Sequence, residues 1–403
     1  MTIDITIIGA GPAGLGLARS LSGNGLNIAV VERSPRAVLE DPPFDGREIA
    51  LTHESVEHLR AMGAWDRIPA ADVSPMGEAR VLNGPFDHAL RFHANGQQRE
   101  NLGQFVPNHL IRRSLFESVA ECADVMVLDR RSATGIQTDA DNATLTLDDG
   151  TKLTSRLIVA ADTRFSEMRK RMGIGARTRN FGKTMMVCRM AHDLPHNSVA
   201  TEWFGYGRTI AILPLNGTAE TPNLSSLVLT LRPEKIARLK DLEPEAFNAE
   251  VTRLYQSRLG RMRLVGPRVA FPLVGVYAER FVARRFALAG DAAVGMHPVT
   301  AHGFNFGLSG ARTLAGLVTE ALAAGKDIGA APLLAAYEAR HRRTTGPLYL
   351  ATNATVGLFT DDRFPARVMR DAVIRAGGLL SPVRQAVSAR LMQARAEQRR
   401  IAS

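Results

Sequence analysis

Ile3-Asp4-Ile5-Thr6-Ile7-Ile8-Gly9-Ala10-Gly11-Pro12-Ala13-Gly14, near the start of this 403-residue chain, is the stretch that decides the fold. The apolar run from Ile3 to Ile8 reads as a strand that ends in glycines, and a helix from about Ala13 to Leu21 opens directly behind them. Glycines at such a junction let the backbone approach a pyrophosphate, whose charge then lies against the unpaired amides of the helix N-terminus. A second strand, Ile28 to Val31, ends in Glu32, roughly twenty residues past the glycines. A carboxylate there accepts hydrogen bonds from ribose hydroxyls and repels a 2′-phosphate, so the nucleotide is FAD or NAD rather than NADP. The plain alternative for the glycines is a tight turn.

With 45% apolar residues the chain can build a large interior, and its length suggests two or three domains. Cys122 and Cys188 stand far apart without CxxC or CxxH spacing, so neither a disulfide framework nor a metal site is indicated, and a reducing compartment is expected. The opening residues lack a basic leader and carry Asp4, and no apolar run approaches the roughly twenty residues that cross a bilayer, so a cytoplasmic protein is expected. The net charge of +10 fits nucleic acid, an anionic membrane surface, acidic partners or plain arginine richness. Its distribution favours no nucleic-acid role: from Phe364 to Arg400 arginines interleave with Val, Ile, Leu and Met at helical spacing. Such a basic amphipathic tail reads either as a membrane-surface or partner-docking helix, peripheral to the inner membrane, or as a helix pair packed on its own domain.

The segment Asp45-Gly46-Arg47-Glu48-Ile49-Ala50-Leu51 leads to an amphipathic helix from about Ser55 to Met62, and a second helix covers Leu110 to Val119. Runs at Asp124 to Leu128, Ala143 to Leu147 and Leu157 to Ala161 read as strands of the nucleotide-binding sheet, with Asp148-Asp149-Gly150 turning between the last two. From about Arg177 to Phe271 the texture changes to alternating runs, Met185 to Met190, Ala200 to Phe204, Ile210 to Leu213 and Ser226 to Leu231, which suggest an antiparallel sheet with one buried face. A further strand, Phe286 to Ala289, enters Gly290-Asp291, and helices near Gly307 to Ala324 and Ala331 to His341 close the core. The expected organisation is a first nucleotide-binding part over residues 1–176, with some strands of the substrate unit near 75–108, a sheet over 177–275, a second nucleotide-binding part over 276–345, and a helical region over 346–403.

Gly290-Asp291, following its strand, pairs with the opening glycines as the second grip on one cofactor, which points to a flavoprotein. With these segments in place the chain resembles the single-component FAD-dependent aromatic hydroxylases of the para-hydroxybenzoate hydroxylase type, most closely their ubiquinone-biosynthesis branch, over about residues 3 to 345. The resemblance implies an α/β fold: a discontinuous Rossmann-like FAD-binding domain, an inserted antiparallel β-sheet substrate domain and a helical C-terminal tail. It implies that Gly9, Gly11, Pro12, Ala13 and Gly14 bind the FAD pyrophosphate, that Glu32 and Arg33 hold the adenosine end, and that Arg47 and Arg112 flank the pyrophosphate and ribityl chain. The family's middle motif matches Ala161-Asp162-Thr163-Arg164-Phe165-Ser166-Glu167-Met168-Arg169, with Thr163 where the family has glycine, and assigns Asp162 to the cofactor region. Gly290 and Asp291 would meet the ribityl hydroxyls. The segment from His297 through Pro298, Ala301, His302, Gly303 and Phe304 to Asn305 would face the isoalloxazine, with Ala301 replacing a glycine and His302 the commoner glutamine.

In that family reduced flavin and dioxygen give a C4a-hydroperoxide that transfers oxygen to an electron-rich ring, with NADH or NADPH as electron donor. Pro298 would shape the wall beside the reactive carbon, and His302 is the titratable group to set near the ring, although a loop histidine held by backbone is the simpler reading. Asp291 has its own plain alternative as a helix N-cap, Asp162 as a turn residue, and Arg47 and Arg112 as surface ion pairs. Phe204, Tyr206, Ile212 and Pro214 are candidates to line the substrate pocket, or else core residues at the same spacing. The expected substrate is a small aromatic with a phenolic or prenylated ring. The rival readings are an FAD-dependent isoprenoid reductase, a catabolic aromatic hydroxylase, and a flavin- or lipid-binding accessory protein of low turnover. A plain NAD dehydrogenase would leave Gly290-Asp291 without a role.

Overall fold

The chain is described by a computed structural model covering residues 2–84, 89–93, 101–298, 302–361 and 363–379. Its organising element is the fully buried strand β1 (Ile5–Ile8), which hydrogen-bonds in parallel to β2 (Ile28–Val31) on one side and to the strand Leu157–Ala160 on the other. All three are continuous apolar runs, as a sheet covered on both faces requires. Val125–Leu128 extends the sheet beyond β2, and Phe286–Leu288 and Val282–Ala283 extend it at the other edge, giving six strands. The helices Pro12–Leu21 and Gly303–Ala323 pack against one another over this sheet, burying Leu15, Leu17, Leu308 and Leu314. Phe286–Leu288 comes late in the sequence yet lies beside Leu157–Ala160, so the nucleotide-binding sheet is discontinuous.

Ala143–Leu147 departs from expectation. It joins no nucleotide-sheet strand and pairs with Ala133–Thr138 and Lys152–Ser155 in a separate three-stranded antiparallel sheet. Asp148-Asp149-Gly150 turns into Lys152–Ser155, a short strand with polar residues on its exposed face, rather than into Leu157–Ala160.

The second large sheet has eight strands, in the order Val294–Gly295, Met262–Ala278, Ala176–His192, Leu224–Leu231, Arg208–Leu215, Val199–Gly205, Glu78–Asn83 and Ala89–His93. It is antiparallel except where Val199–Gly205 meets Glu78–Asn83. One face is sealed by two helices that the sequence pattern concealed, Pro233–Lys240 and Pro244–Leu254, whose Ile236, Leu239, Phe247 and Val251 pack with Trp203, Ile210, Ile212, Leu227 and Leu229. The other face packs, through Ala200, Leu213, Leu215 and Leu224, against Met76, Leu102 and Phe105.

The helix that begins at Ala331 is longer than its periodicity suggested. Ala331–Thr360 runs thirty residues and contains Pro347, and Phe364–Leu379 folds back along the outer strands Glu78–Asn83 and Ala89–His93. Ala366, Arg370 and Ile374 form its inward stripe, and the fully buried Arg370 donates from Nη1 to Phe359 O (2.6 Å) and from Nη2 to Asp361 O (2.8 Å), satisfying carbonyls at the end of the preceding helix. Its outward face is apolar: Phe364, Val368, Met369 and Val373 are all exposed. Residues 380–403 of the basic tail lie outside the described residues, and among those described no helix is long and apolar enough to cross a membrane.

His341 is buried between Tyr337, stacked at 5.7 Å, and Phe281 at 5.4 Å. Burial pulls its pKa down to about 4. The unfolded chain therefore binds a proton through pH 6.5 to 4 that the folded chain refuses, so stability falls as pH drops through that window. We expect His341 alone to remove about 2 kcal/mol between pH 7.5 and 5. Urea denaturation of the wild type and His341→Gln at both pH values measures it, and the variant should show the smaller loss.

Candidate functional site

The helix Pro12–Leu21 has Pro12 in its first turn, no acidic residue there, and Gly11 as an N-cap without a side-chain hydrogen bond. Its leading amides are left for a ligand. Gly9 has φ +103°, and a methyl group on it would stand 2.7 Å from Ala161 O; one on Gly14 would stand 2.0 Å from Gly9 O. Packing within the chain therefore demands both glycines. Gly11 differs, because a Cβ there would meet no protein atom within 4 Å. An open space before an uncapped helix is a cradle that fits a dinucleotide pyrophosphate.

The helix Gly303–Ala323 starts in the same way, with His302 at its N-cap, no side-chain cap and no acid in the first turn. The two glycine segments meet: a Cβ on Gly290 would lie 2.8 Å from that of Ala13, and one on Gly307 3.7 Å from it. Beside this contact Asp291 Oδ2 accepts from Arg164 Nη2 at 2.7 Å, while Arg164 Nη1 donates to Val274 O at 2.8 Å. The buried Arg169 donates from Nη1 to both Arg164 O (3.0 Å) and Ala292 O (2.9 Å), and Ser166 Oγ accepts from Arg169 N. The middle motif thus braces the turn that carries Asp291. Thr163 keeps a negative φ, and its hydroxyl accepts from Phe165 N, so the replacement for glycine forms its own turn without strain. Asp162 lies directly behind Gly9; burial raises its carboxyl pKa, and its Oδ1 has no partner among the described residues.

Glu32 holds the opening loop, accepting from Ala10 N on Oε2 and from Ser34 N on Oε1, both at 2.8 Å. A carboxylate has about four acceptor positions, so two remain for ribose hydroxyls. Arg33 is exposed. Arg47 is tied to Asp45 (Nη2 to Oδ2, 2.5 Å), whose carboxylate also accepts from Asn108 Nδ2 at 2.8 Å, and its guanidinium lies 5.4 Å from the Phe271 ring. Arg112 has no hydrogen-bond or ion-pair partner among the described residues, although it is half-buried and feels the charges of Asp45, Arg47 and Glu32. A partly desolvated cation placed among the other candidate binding groups, with none of them bonded to it, is available to an anion.

The flavin-facing segment is partly described. Pro298 is exposed, His302 is buried with its ring 5.8 Å from that of Phe306, and Ala301 lies outside the described residues. Gly303 and Phe304 open the helix and are partly accessible. Asn305 Nδ2 donates to Ala50 O (2.9 Å) and its Oδ1 accepts from Thr52 N (3.1 Å), locking the helix start to the strand Glu48–Leu51.

Phe204, Tyr206, Ile212 and Pro214 do not share one pocket. Ile212 is sealed under the helices Pro233–Lys240 and Pro244–Leu254, and strand alternation sets Pro214 on that same face. Phe204 faces the opposite side and packs on Phe359 with ring centroids 4.7 Å apart, while Tyr206 lies under Arg367 at 4.0 Å. The pattern of residues did not single out the pair Glu48 and Arg189 (Oε1 to Nη2, 2.8 Å), which joins the Arg47 loop to the sheet, nor the Arg164 clamp on Asp291. The signal for the first was an arginine inside the apolar run Met185 to Met190.

The profile of the family described as "FAD binding domain" matches residues 2–346. Ubiquinone hydroxylase UbiM of Neisseria meningitidis is 44% identical over 392 residues, covering 96% of this chain and 84% of that protein. Ubiquinone hydroxylase UbiL of Rhodospirillum rubrum is 34% identical, over 95% of this chain and 87% of its own. The crystal structure of pqsL, a probable FAD-dependent monooxygenase from Pseudomonas aeruginosa, superimposes with TM-score 0.73 at 21% identity, covering 93% of this chain and all of that one, which is a likeness of fold.

The contrast between the glycines is testable. Gly14→Ala should destabilise the flavin-free protein by about 3 kcal/mol through overlap with Gly9 O. Gly11→Ala should leave the melting temperature of the flavin-free protein in place but weaken FAD about tenfold or more, as read by quenching of flavin fluorescence.

Proposed function

This chain belongs to the FAD binding domain family, and we propose that it is a monooxygenase that hydroxylates the phenolic ring of a prenylated intermediate of ubiquinone synthesis. The observation that carries this reading is the 44% identity to a ubiquinone hydroxylase along nearly the whole chain, together with a cradle that suits FAD. We assign the FAD-binding unit to residues 1–176 and 276–345, the substrate sheet to 177–275 with strands from 75–108, and the C-terminal region to 346–403, whose described part is helical.

When bound, FAD takes electrons from NADH or NADPH and, with dioxygen, supplies the oxygen atom. The chain's own residues hold and orient it. The amides behind Gly11 receive the pyrophosphate, and Arg112 adds the positive charge that Arg47, neutralised by Asp45, offers less freely. The free acceptor positions of Glu32 take the adenosine ribose, and Asp291, fixed by Arg164, presents its remaining oxygen to the ribityl chain. The uncapped start of Gly303–Ala323 stabilises negative charge on the ring's pyrimidine side, with Asn305 fixing its position. Pro298 and His302 border the ring, and the apolar inner face of the eight-stranded sheet keeps water from it.

For a membrane-borne substrate, the helix Phe364–Leu379 supplies the approach. Its outward Phe364, Val368, Met369 and Val373, next to Arg363 and ahead of an arginine-rich end, suit the interface of an anionic bilayer.

Substrate-dependent oxygen uptake decides the main reading. The FAD-loaded enzyme should consume one dioxygen per NAD(P)H with a prenylated phenol and yield a product one oxygen heavier. Reduction of the prenyl chain without oxygen uptake would make it an isoprenoid reductase, and absence of any phenol-stimulated turnover would leave the accessory-protein reading. The double variant Phe364→Glu and Val368→Glu should lose most co-sedimentation with anionic liposomes while keeping wild-type kcat on a short-chain phenol in solution.

A further inference from the structure

In the strand Val199–Gly205 every residue is buried except Glu202, which is partly accessible. Its neighbours Thr201 and Trp203 point to the helix-covered face, where Trp203 stacks edge-on with Tyr255. Glu202 and Phe204 therefore point to the inner face. At the level of Glu202 the register across the sheet runs Val81, Glu202, Ala211, Val228 and Val187, a row of apolar side chains broken by one carboxyl. At Val187, which pairs onward with Val269, the row supports the loop of Arg47, since a Cβ on Gly46 would lie 2.8 Å from Val187 Cγ2. Its other end, Val81, touches both the apolar cluster that reaches Ala50 and the one under Phe359 and Ile374. Glu202 thus lies between the strand that Asn305 grips and the C-terminal helices.

The carboxyl has no hydrogen bond or ion pair among the described residues, and desolvation alone pushes its pKa up to about 8. It is the one partly accessible side chain of its strand, on the inner face of the sheet. A second polar group stands beside it. Asn83, opposite Phe204 on the adjoining strand, is on the same face as Val81; it is 3% exposed, and neither its Oδ1 nor its Nδ2 has a partner among the described residues. The two strands run parallel, so Asn83 stands diagonally beside Glu202, about 8 Å away between Cα atoms, a gap that the two side chains with one oxygen atom between them can span by two hydrogen bonds.

We propose that Glu202 and Asn83 form the subsite for the substrate's phenolic hydroxyl, Glu202 accepting its hydrogen and Asn83 Nδ2 donating to its oxygen. This rests on the hydroxylase reading above and adds to it the residues that select a hydroxylated ring. A buried amide without a partner and a half-buried carboxyl without one weaken a fold, and their retention on an apolar face is explained by a ligand that satisfies both. The hydroxyl held at this point orients the ring against the apolar row, and its prenyl chain has the clusters under Phe359 and Ile374 to follow.

The test uses the full-length FAD-loaded protein, a short-chain prenylated phenol and the matching methyl ether, with binding read by perturbation of the flavin absorbance in the absence of NAD(P)H. The wild type should prefer the phenol about tenfold or more. Glu202→Leu and Asn83→Leu should each remove most of that preference, leave ether affinity within about threefold, and raise the melting temperature because an unsatisfied polar group is gone. Glu202→Gln, which can still accept, should restore part of the preference. If Glu202→Leu keeps the preference, or lowers the melting temperature while leaving it intact, the subsite is overturned while phenol-dependent oxygen uptake still upholds the hydroxylase. If the wild type takes up no oxygen with any phenol, the hydroxylase reading falls instead, and the binding preference shows separately whether the subsite exists.

Discussion

The approach of one backbone to another at the opening turn is the constraint on which the rest of this structure depends. Gly14 sits so close to the Gly9 carbonyl that a single methyl group would collide, and Gly9 is itself pressed against Ala161. That crowding fixes the angle at which Pro12–Leu21 leaves β1. The angle in turn sets Ala13 against Gly290, and with it the start of the helix Gly303–Ala323. Two uncapped helix ends then face a common space whose walls come from the two ends of the sequence.

Much of this was legible because local rules were strong there. Ile28–Val31 was readable to the residue, since a fully buried parallel strand must be uniformly apolar. The turn at Asp148-Asp149-Gly150 was legible, but its partner was not: Lys152–Ser155 alternates in only four residues, too few to register as a strand. Pro233–Lys240 and Pro244–Leu254 were hidden by the surrounding strand texture, although both begin with proline in the first turn, a helix-start signal. Within the site, residue type was legible and direction was not. Nothing in the sequence says which face of a strand looks inward, which is why Phe204 and Ile212 were grouped although they point apart. The side-chain bonds of Asn305 to Ala50 and Thr52 were not legible either, since their partners lie some 250 residues away in sequence.

The charge balance also takes a different meaning in the folded molecule. An excess of ten positive charges suggested a partner surface, yet many guanidiniums act as internal carbonyl partners. Arg169 holds Ala292 O, Arg285 holds Ala140 O and Arg156 O, Arg268 holds Leu239 O and Leu242 O, and Arg370 holds the end of the thirty-residue helix. A planar donor with five N–H groups is suited to collecting carbonyls that helices and turns leave over. The outward face of Phe364–Leu379 is correspondingly apolar, with Arg370 on the inside.

The late arrival of Phe286–Leu288 beside Leu157–Ala160 has a consequence for biosynthesis. On the ribosome, β1, its glycine turn and β2 emerge early and can pair at once, but half of the cofactor's enclosure is still untranslated. Until the chain has passed Gly303 and its helix has left the exit tunnel, a nascent molecule has a phosphate cradle with nothing opposite it. On the reading proposed above, flavin loading therefore waits until the helix Gly303–Ala323 has been made.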